Sequence, residues 1–484
     1  MEVIVLVLSF VILLILGVPI AFSIGASGIL TMLISIDSLP AFTTYAQRMA
    51  TGLDSFALLA IPFFILAGNI MNRGGIAMRL INFARVLVGG LPGGLAFVNV
   101  IANMLFGAIS GSAAASASAI GSIMGPEMKK EGYDENFSAA VNITSATTGL
   151  TIPPSNILIV YSLASGGASI TALFLAGYIP GIMTGVGIML VAMSMVIFKN
   201  KGIKGVVRTL SKLAVVAVAV IGVGAGLKMA HDNATGLYKI LVYGLGGLGL
   251  AFWVYKTVQH WEKAKKGIRV FFDAVPSLMM LVIVIGGIVA GYFTATEASA
   301  VAVLYALVLA LLYRDMKIKH LPDVIIRSVR TTSIVMLLVA ASIGLSWIMS
   351  YENIPQNVSD GLLSISDNPI VILLIINLIL LFVGVFMDMT PAVLIFTPIF
   401  LPIVTAQLGM DPIHFGMIIV LNLCVGLCTP PVGSVLFIGC SVADIKIEKV
   451  VKPLMPMFLV MIVVLMLVTF IPELSLWLPN LLMK

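Results

Sequence analysis

Long apolar stretches follow one another along the whole chain. In the first half they lie at about 3–16, 18–35, 55–72, 93–125, 137–164 and 171–198. In the second half they lie at about 275–291, 294–313, 331–350, 368–403, 413–445 and 453–473, and two further stretches at about 212–228 and 236–256 separate the halves. Since a helix that crosses a bilayer needs about 20 mostly apolar residues, this pattern predicts an all-α polytopic membrane protein.

The two halves are interrupted by glycine and proline at matching positions. Four features recur with a constant offset of 277: Gly107 and Gly384, Gly132 and Gly409, Gly149 and Gly426, and the pairs Pro153-Pro154 and Pro430-Pro431. Paired interruptions in two halves of a hydrophobic chain are the best sequence indication of a secondary transporter's binding site.

Two of the apolar stretches, 93–125 and 368–403, have a polar tip in the middle. The tips are Ser110-Gly111-Ser112 and Asp388-Met389-Thr390-Pro391. If both stretches are re-entrant hairpins, each half crosses the membrane five times, and an odd number inverts the second half relative to the first. We therefore expect a first repeat at 1–200, an inserted pair of spans with basic loops at 201–270, and an inverted second repeat at 271–484, about 12 spans plus two hairpins in all.

The distribution of basic residues supports this topology. With the N-terminus outside, the predicted inner loops hold all of the 27 Lys and Arg residues except Arg48, Lys228, Lys239 and Lys484, as the positive-inside rule requires. The first hairpin then enters from the cytoplasm and the second from the outer face. The chain is 60% hydrophobic and only 10% charged. Its net charge of +6 therefore reflects the clustering of basic residues in the predicted inner loops. Nucleic acid is not an expected partner.

The proline pairs predict broken helices at 137–164 and 413–445. Proline has no N–H, so Pro153 and Pro154 should release the carbonyls of Gly149 and Leu150, and Pro430 and Pro431 those of Gly426 and Leu427. Freed carbonyls at membrane depth suit a hard cation inside the protein. Further oxygen ligands near the breaks are Thr147, Thr148, Thr151, Ser155, Asn156, Thr429 and Ser434.

Several ionisable or nucleophilic residues have two possible roles. Asp388 either binds or gates a cation or substrate, or caps the helix that follows it. Glu297 either carries a proton or favours a helix N-terminus. His414 and the arginines of the amphipathic stretch after 72 (Arg73, Arg79 and Arg85) are expected at the membrane interface, and the three cysteines are expected to be small core residues. The sequence contains no catalytic constellation, so an enzyme is not expected.

Five motifs together resemble the large membrane subunit of tripartite ATP-independent periplasmic (TRAP) transporters. They are LLAIPFFILAG (58–68), GAISGSAAASA (107–117), GLTIPPS (149–155), AGYFTATEASAVAVLYAL (290–307) and GLCTPPVGSVLF (426–437). The resemblance covers about 1–200 and 270–475, and the spans at 212–256 look like an insertion relative to it. It implies an elevator-type carrier of the ion-transporter superfamily fold in the bacterial inner membrane, driven by inward sodium flow.

The resemblance also implies sites and partners. A first Na⁺ site would fall on Ser110, Ser112, Gly149, Ile152 and Pro154, and the offset of 277 places a second near Asp388, Thr390, Gly426, Thr429 and Pro431. Substrate contacts are expected from Ser110, Thr151, Ser155, Asn156, Asp388 and Ser434. The implied partners are a small four-span membrane subunit, a periplasmic substrate-binding protein and a small organic anion such as sialic acid or a C4-dicarboxylate.

The sequence thus predicts sodium-coupled import of small organic anions, with a periplasmic N-terminus. A dicarboxylate symporter that works without a binding protein, or one driven by protons through Asp388 or Glu297, is an alternative. A non-transporting membrane scaffold is another, and it would leave the tip residues freely replaceable.

Overall fold

The computed structural model describes residues 2–233, 261–314 and 316–483. Across this part of the chain the regular structure is entirely helical, which confirms the predicted fold class. The first half contains α1 Glu2–Ile15, α2 Ile20–Ser35, α3 Ser38–Leu53, α4 Ala60–Arg73, α5 Ile76–Val88, α6 Gly94–Ser110, α7 Ala113–Lys130, α8 Glu135–Thr151, α9 Asn156–Ala164 and α10 Ile170–Asn233.

The second half contains a similar series of helices. They are α11 Trp261–Val289, α12 Ala295–Leu312, α13 Leu321–Tyr351, α14 Ile354–Ile365, α15 Pro369–Phe386, α16 Met389–Ala406, α17 Pro412–Gly426, α18 Ser434–Ala443, α19 Ile447–Phe470 and α20 Glu473–Leu482. Short 3₁₀ turns at Phe56–Leu59 and Ile318–His320 precede α4 and α13.

The helix bounds keep the register of the sequence repeat. From α5 to α10 each helix has a counterpart, α14 to α19, that starts 275 to 278 residues later; for example, Ile447 follows Ile170 by 277. The two tips fall between α6 and α7 and between α15 and α16, and the two breaks separate α8 from α9 and α17 from α18. The paired interruptions of the sequence are therefore paired interruptions of helices.

Eight helices of the described residues are long and apolar enough to cross a membrane. They include α15 and α16, the arms of the predicted second hairpin, whereas α1, α2, α6 and α17 are apolar but shorter. The total of about 12 spans stays a prediction. The span predicted at 212–228 lies in helical backbone of α10, which runs on from 170 and departs from helical geometry at Gly202. The span predicted at 236–256 lies outside the described residues.

Each half contains one place where the hairpin and the broken helix cross with their backbones in contact. A Cβ atom built on Gly107 of α6 would lie 2.9 Å from the Cα atom of Gly149 in α8. In the second half a Cβ atom on Gly384 of α15 would lie 3.1 Å from the Cα atom of Gly426 in α17. Only glycine allows such an approach, so the paired glycines set the position of each hairpin against its break.

The amphipathic arginines contact other helices. Arg73 lies 3.7 Å from Asp323, Arg79 lies over the ring of Tyr313 at 3.7 Å, and Arg85 of α5 pairs with Glu127 of α7. The last pair joins the arm of the first hairpin to α5.

We predict that Gly107→Val lowers thermal stability because the added methyl groups would press on the backbone of α8. Overpacking of this kind costs about 1–3 kcal/mol, and backbone cannot move aside as a side chain can. The matched control is Gly286→Val in α11, where an added Cβ meets none of the described residues within 4 Å. Thermal melting of both purified variants in detergent tests this, and equal melting temperatures would contradict it.

Candidate functional site

The first candidate site is formed by residues 107–112 and 149–156 and is called the first site below. Helix α6 ends at Ser110, Gly111 follows in the left-handed conformation (φ 62°), and α7 begins at Ala113. The Ser112 hydroxyl accepts a hydrogen bond from the Ala115 N–H at 3.2 Å and so caps α7. A glycine with positive φ and a serine cap together explain why the chain turns here.

The break of the first site lies between Thr151 and Asn156. Pro153 has no N–H, so the carbonyl of Gly149 loses the donor that a continuous helix would supply. The carbonyl of Leu150 behaves differently, because the Ser155 hydroxyl donates a hydrogen bond to it. The prediction of two freed carbonyls is therefore wrong for Leu150: a nearby hydroxyl replaces the missing N–H.

The tip and the break of the first site touch. Beyond the crossing of Gly107 and Gly149, a Cβ atom on Gly111 would lie 2.7 Å from the Asn156 side-chain nitrogen. On the other side of the tip, a Cβ atom on Gly68 of α4 would lie 2.8 Å from the carbonyl oxygen of Ser110. The tip is thus held between α4 and the break.

The second site is formed by residues 384–390 and 426–434. Asp388 occupies the position before α16, but within the described residues its side chain makes no capping hydrogen bond. The capping role considered for Asp388 therefore lacks its expected bond, and the residue as a whole is exposed.

The second break differs from the first in its hydrogen bonds. The carbonyl of Gly426 accepts a bond from the Thr429 N–H at 2.9 Å, and that of Leu427 accepts bonds from the N–H groups of Val435 (3.2 Å) and Leu436 (3.4 Å). The prediction that Pro430 and Pro431 free these two carbonyls is wrong, because a turn and the start of α18 supply other donors. The Gly426 carbonyl keeps a second lone pair that can bind a cation, whereas the Leu427 carbonyl already accepts two bonds.

The two sites also differ in exposure. Of the predicted ligand and substrate residues, those of the first site are mostly buried: Ser110, Gly149, Thr151, Ile152, Pro154 and Ser155, with Ser112 and Asn156 half-buried. In the second site Gly426 is buried, Thr390 and Thr429 are half-buried, and Asp388, Pro431 and Ser434 are exposed. The residues of the first site are therefore more buried than those of the second.

Contacts between α8 and α17 relate the two halves by an approximate two-fold axis. Thr147 and Cys424 are 277 residues apart, and the Cys424 sulfur lies 3.4 Å from the Thr147 carbonyl oxygen. The contact of Thr151 with Cys424 (3.8 Å) has a counterpart, that of Cys428 with Thr147 (3.8 Å). Reciprocal contacts of equivalent residues are the sign of a two-fold relation. The three cysteines are buried and free of disulfides, as core residues.

Comparison with known proteins decides the family. The family model of the tripartite ATP-independent periplasmic transporter, DctM component, matches residues 7–474. The chain belongs to this family. It is therefore a large membrane subunit of the TRAP type, a multi-pass membrane protein from a family of transporters and not of enzymes. The family works with a small membrane subunit and a periplasmic binding protein.

Three relatives illustrate the range of this family. The chain is 50% identical over 479 residues to the uncharacterized protein YgiK of Salmonella typhimurium (99% of this chain and 97% of YgiK). It is 34% identical to the sialic acid large permease SiaM of Vibrio cholerae (90% and 89% covered). It is also 34% identical to the C4-dicarboxylate large permease DctM of Rhodobacter capsulatus (96% of each chain).

The fold of this large permease is also that of a solved transporter. The crystal structure of the Alcanivorax borkumensis YdaH transporter matches with a TM-score of 0.58 at 12% identity, covering 93% of this chain and 90% of that one. At this identity the likeness concerns the fold alone.

Sequence reasoning missed a buried polar cluster beneath the first tip of the large permease. The Asn103 side-chain nitrogen donates to Asn142 Oδ1 (3.1 Å) and Ser145 Oγ (2.9 Å), and Ser116 Oγ donates to Asn103 Oδ1 (2.7 Å). Asn99 joins through its side-chain oxygen, 2.7 Å from the Asn103 nitrogen. The sequence does place these amide side chains inside apolar helices. Such groups are costly in a membrane unless they are hydrogen-bonded, so their presence could have indicated a buried polar cluster.

The structure shows which groups the Glu297 carboxylate bonds. Its carboxylate accepts bonds from the N–H and the hydroxyl of Thr294, both at 2.8 Å, while the Thr294 hydroxyl accepts from the Glu297 N–H at 3.3 Å. This is a capping box at the start of α12, so Glu297 stabilises a helix N-terminus.

His414 is buried within the protein. Its side chain is only 1% exposed, and Nδ1 lies 2.6 Å from the Ser475 hydroxyl. Because α20 covers the start of α17, the His414 ring contacts protein and not lipid headgroups; its position along the membrane normal stays a prediction.

We predict that Glu297→Gln leaves uptake and its pH dependence unchanged. The amide oxygen can still accept the bonds from Thr294, whereas a proton carrier would be lost. Glu297→Ala removes both acceptors and should lower the melting temperature of the purified protein. The measurement is uptake into proteoliposomes at several external pH values. If Glu297→Gln loses the pH dependence that the wild type shows, the Glu297 carboxylate carries a proton and capping is not its role in transport.

Proposed function

We propose that this large permease imports small organic anions by sodium-coupled secondary transport, with a periplasmic binding protein delivering the substrate. The observation that carries the proposal is the duplicated crossing of a hairpin tip with a broken helix at Gly107/Gly149 and Gly384/Gly426. Half-helix ends that converge inside a membrane protein are the usual site of substrate and coupling ion.

Sodium is the proposed coupling ion because the first site offers neutral oxygens. Ser110 and Ser112 supply hydroxyls, and the carbonyl of Gly149 lacks the donor it would have in a continuous helix. None of the residues assigned to this site can carry a proton at neutral pH, whereas hydroxyl and carbonyl oxygens suit a hard cation. The second site adds the carboxylate of Asp388, with Thr390, Gly426, Thr429 and Pro431 beside it.

The substrate is proposed to be a carboxylate that binds between the two sites. Helices α9 and α18 begin at Asn156 and Ser434, and a helix N-terminus favours an anion. Ser110, Thr151 and Ser155 would add hydroxyls. Asp388 would repel an anion unless a cation lay between them, so its proposed role is to hold the sodium that the anion needs. Sialic acid and C4-dicarboxylates represent the substrate class.

Coupling requires that sodium bind the substrate-loaded state better than the empty one. Ordering of the two sites by sodium would supply this difference, and an elevator movement of the hairpins and broken helices against the other helices would carry the loaded site across the inner membrane. In this proposal the N-terminus is periplasmic and the small membrane subunit is part of the assembly.

We predict that proteoliposomes containing the large permease and its small subunit accumulate substrate only with an inward sodium gradient and with the binding protein outside. Sialic acid and a C4-dicarboxylate are the first substrates to test, with sodium, proton or no gradient. Accumulation with a proton gradient alone would refute sodium coupling, and accumulation without the binding protein would favour a free-standing symporter.

We predict that Asp388→Asn weakens sodium-driven uptake. Loss of a hydrogen-bonding or ligating charge costs about 1.5–3 kcal/mol, which corresponds to roughly a tenfold to hundredfold higher sodium concentration for half-maximal uptake. The control is Asp360→Asn, which removes an exposed carboxylate from α14. Sodium titration of initial uptake rates is the measurement, and identical titrations for wild type and Asp388→Asn would remove Asp388 from the site.

A further inference from the structure

A cavity of about 440 Å³ opens at the end of the hairpin arm α7 that is opposite the tip. It lies between α7, the first half of α8 and the end of α18, and Gly125, Lys129, Glu135, Ser138, Asn142 and Val442 are among its lining residues. An ion pair of Lys129 with Glu135 lies at its outer end. In the predicted topology this end faces the cytoplasm, because α7 ends at Lys129 and Lys130.

One face of α8 is polar from this cavity to the break. Glu135, Ser138, Asn142, Ser145 and Gly149 follow at alternating spacings of three and four residues, so they share one side of the helix. The first three line the cavity, and the last belongs to the first site. This polar face therefore joins the cavity to the Gly107/Gly149 crossing.

Hydrogen bonds continue the polar face inward from the cavity. Asn142, which lines the cavity, accepts from Asn103 at 3.1 Å, and Asn103 also donates to Ser145 at 2.9 Å. Ser145 lies one turn before Gly149. At the inner end of the cavity α7 and α8 are in close contact, since a Cβ atom on Gly121 would lie 2.4 Å from the Asn142 nitrogen.

The second repeat lacks the outer part of this polar face, although its backbone is equivalent and Asn422 bonds there to Asn377. The matching face of α17 is Pro412, Phe415, Ile419, Asn422 and Gly426, with Phe415 and Ile419 fully buried. The polar face is therefore not a by-product of the duplication. The first site is buried, so an ion bound there needs a path to the aqueous phase.

We infer that the polar face of α8 and the cavity at its end form the cytoplasmic release route for the sodium ion of the first site. This inference rests on the proposed function. Buried amides and hydroxyls are costly in a membrane protein, and here they offer an ion successive oxygen atoms from Gly149 to the mouth. Glu135 supplies the last oxygens and pairs with Lys129 at the mouth.

The first test narrows the cavity without touching the site. At Gly125 an added Cβ meets none of the described residues within 4 Å, so Gly125→Leu places its side chain in open space of the cavity. We expect maximal sodium-driven uptake to fall at least about tenfold, with the half-saturating sodium concentration little changed, because release limits turnover. Gly286→Leu in α11, also in open space, should behave as wild type.

A second test does not depend on turnover. In Gly125→Cys, a positively charged, membrane-impermeant thiol reagent should react from the cytoplasmic side only, and the reaction should stop uptake. The native cysteines are buried, and the unsubstituted protein treated in the same way is the control. If Gly125→Leu fails to fold, Gly125→Cys still tests the release route.

The outcomes separate the route from the proposed function. If wild-type uptake requires sodium but Gly125→Leu keeps wild-type turnover, the ion leaves elsewhere and the route is refuted. Reaction of Gly125→Cys from the outer side would refute it as well. If wild-type uptake does not respond to sodium, the proposed function itself fails.

Discussion

The whole arrangement depends on one constraint: irregular backbone inside a membrane must be covered by protein. A tip or a break exposes N–H and C=O groups that lipid cannot satisfy. Here each hairpin arm crosses its broken helix with glycine against glycine, Gly107 on Gly149 and Gly384 on Gly426. The crossing brings tip and break together, so each covers the other. Gly68 of α4 lies against the Ser110 carbonyl and so covers the first tip on the side away from the break.

Much of the fold could be predicted because it follows from sequence features with a simple physical meaning. Apolar length gives helices, the Ser-Gly-Ser tip gives a turn, and proline pairs give breaks. The helix bounds agree with the predicted stretches to within about six residues, except at the long ends of α10, α11 and α13, and the short helices α3, α14 and α20 lie outside those stretches. Glycine pairs at a constant offset revealed the internal repeat. Such signals are local, or they recur in register, and therefore need no knowledge of tertiary contacts.

The local bonding of the sites could not be predicted in the same way. That proline removes a donor is certain from sequence, but which group replaces it is a matter of tertiary geometry. Ser155 turns back onto Leu150, and the start of α18 turns back onto Leu427. His414 is similar, since the sequence does not reveal that α20 covers it. The amides Asn99, Asn103 and Asn142 were visible, but only the packing of α6 on α8 shows that they meet.

The two-fold relation makes the departures from it informative. Thr147 and Cys424 meet where the halves are equivalent, so the duplicated framework by itself would give two alike sites facing opposite sides. An ion shifts a conformational equilibrium only through its differential affinity for the two states, so two sites with different ligands can respond differently to the same ion. In this chain the differences lie where they can do this: a carboxylate at one tip and hydroxyls at the other, and a polar face on α8 where α17 has Phe415 and Ile419. The shared glycines and prolines maintain the crossing, while the unshared polar residues distinguish the two sites.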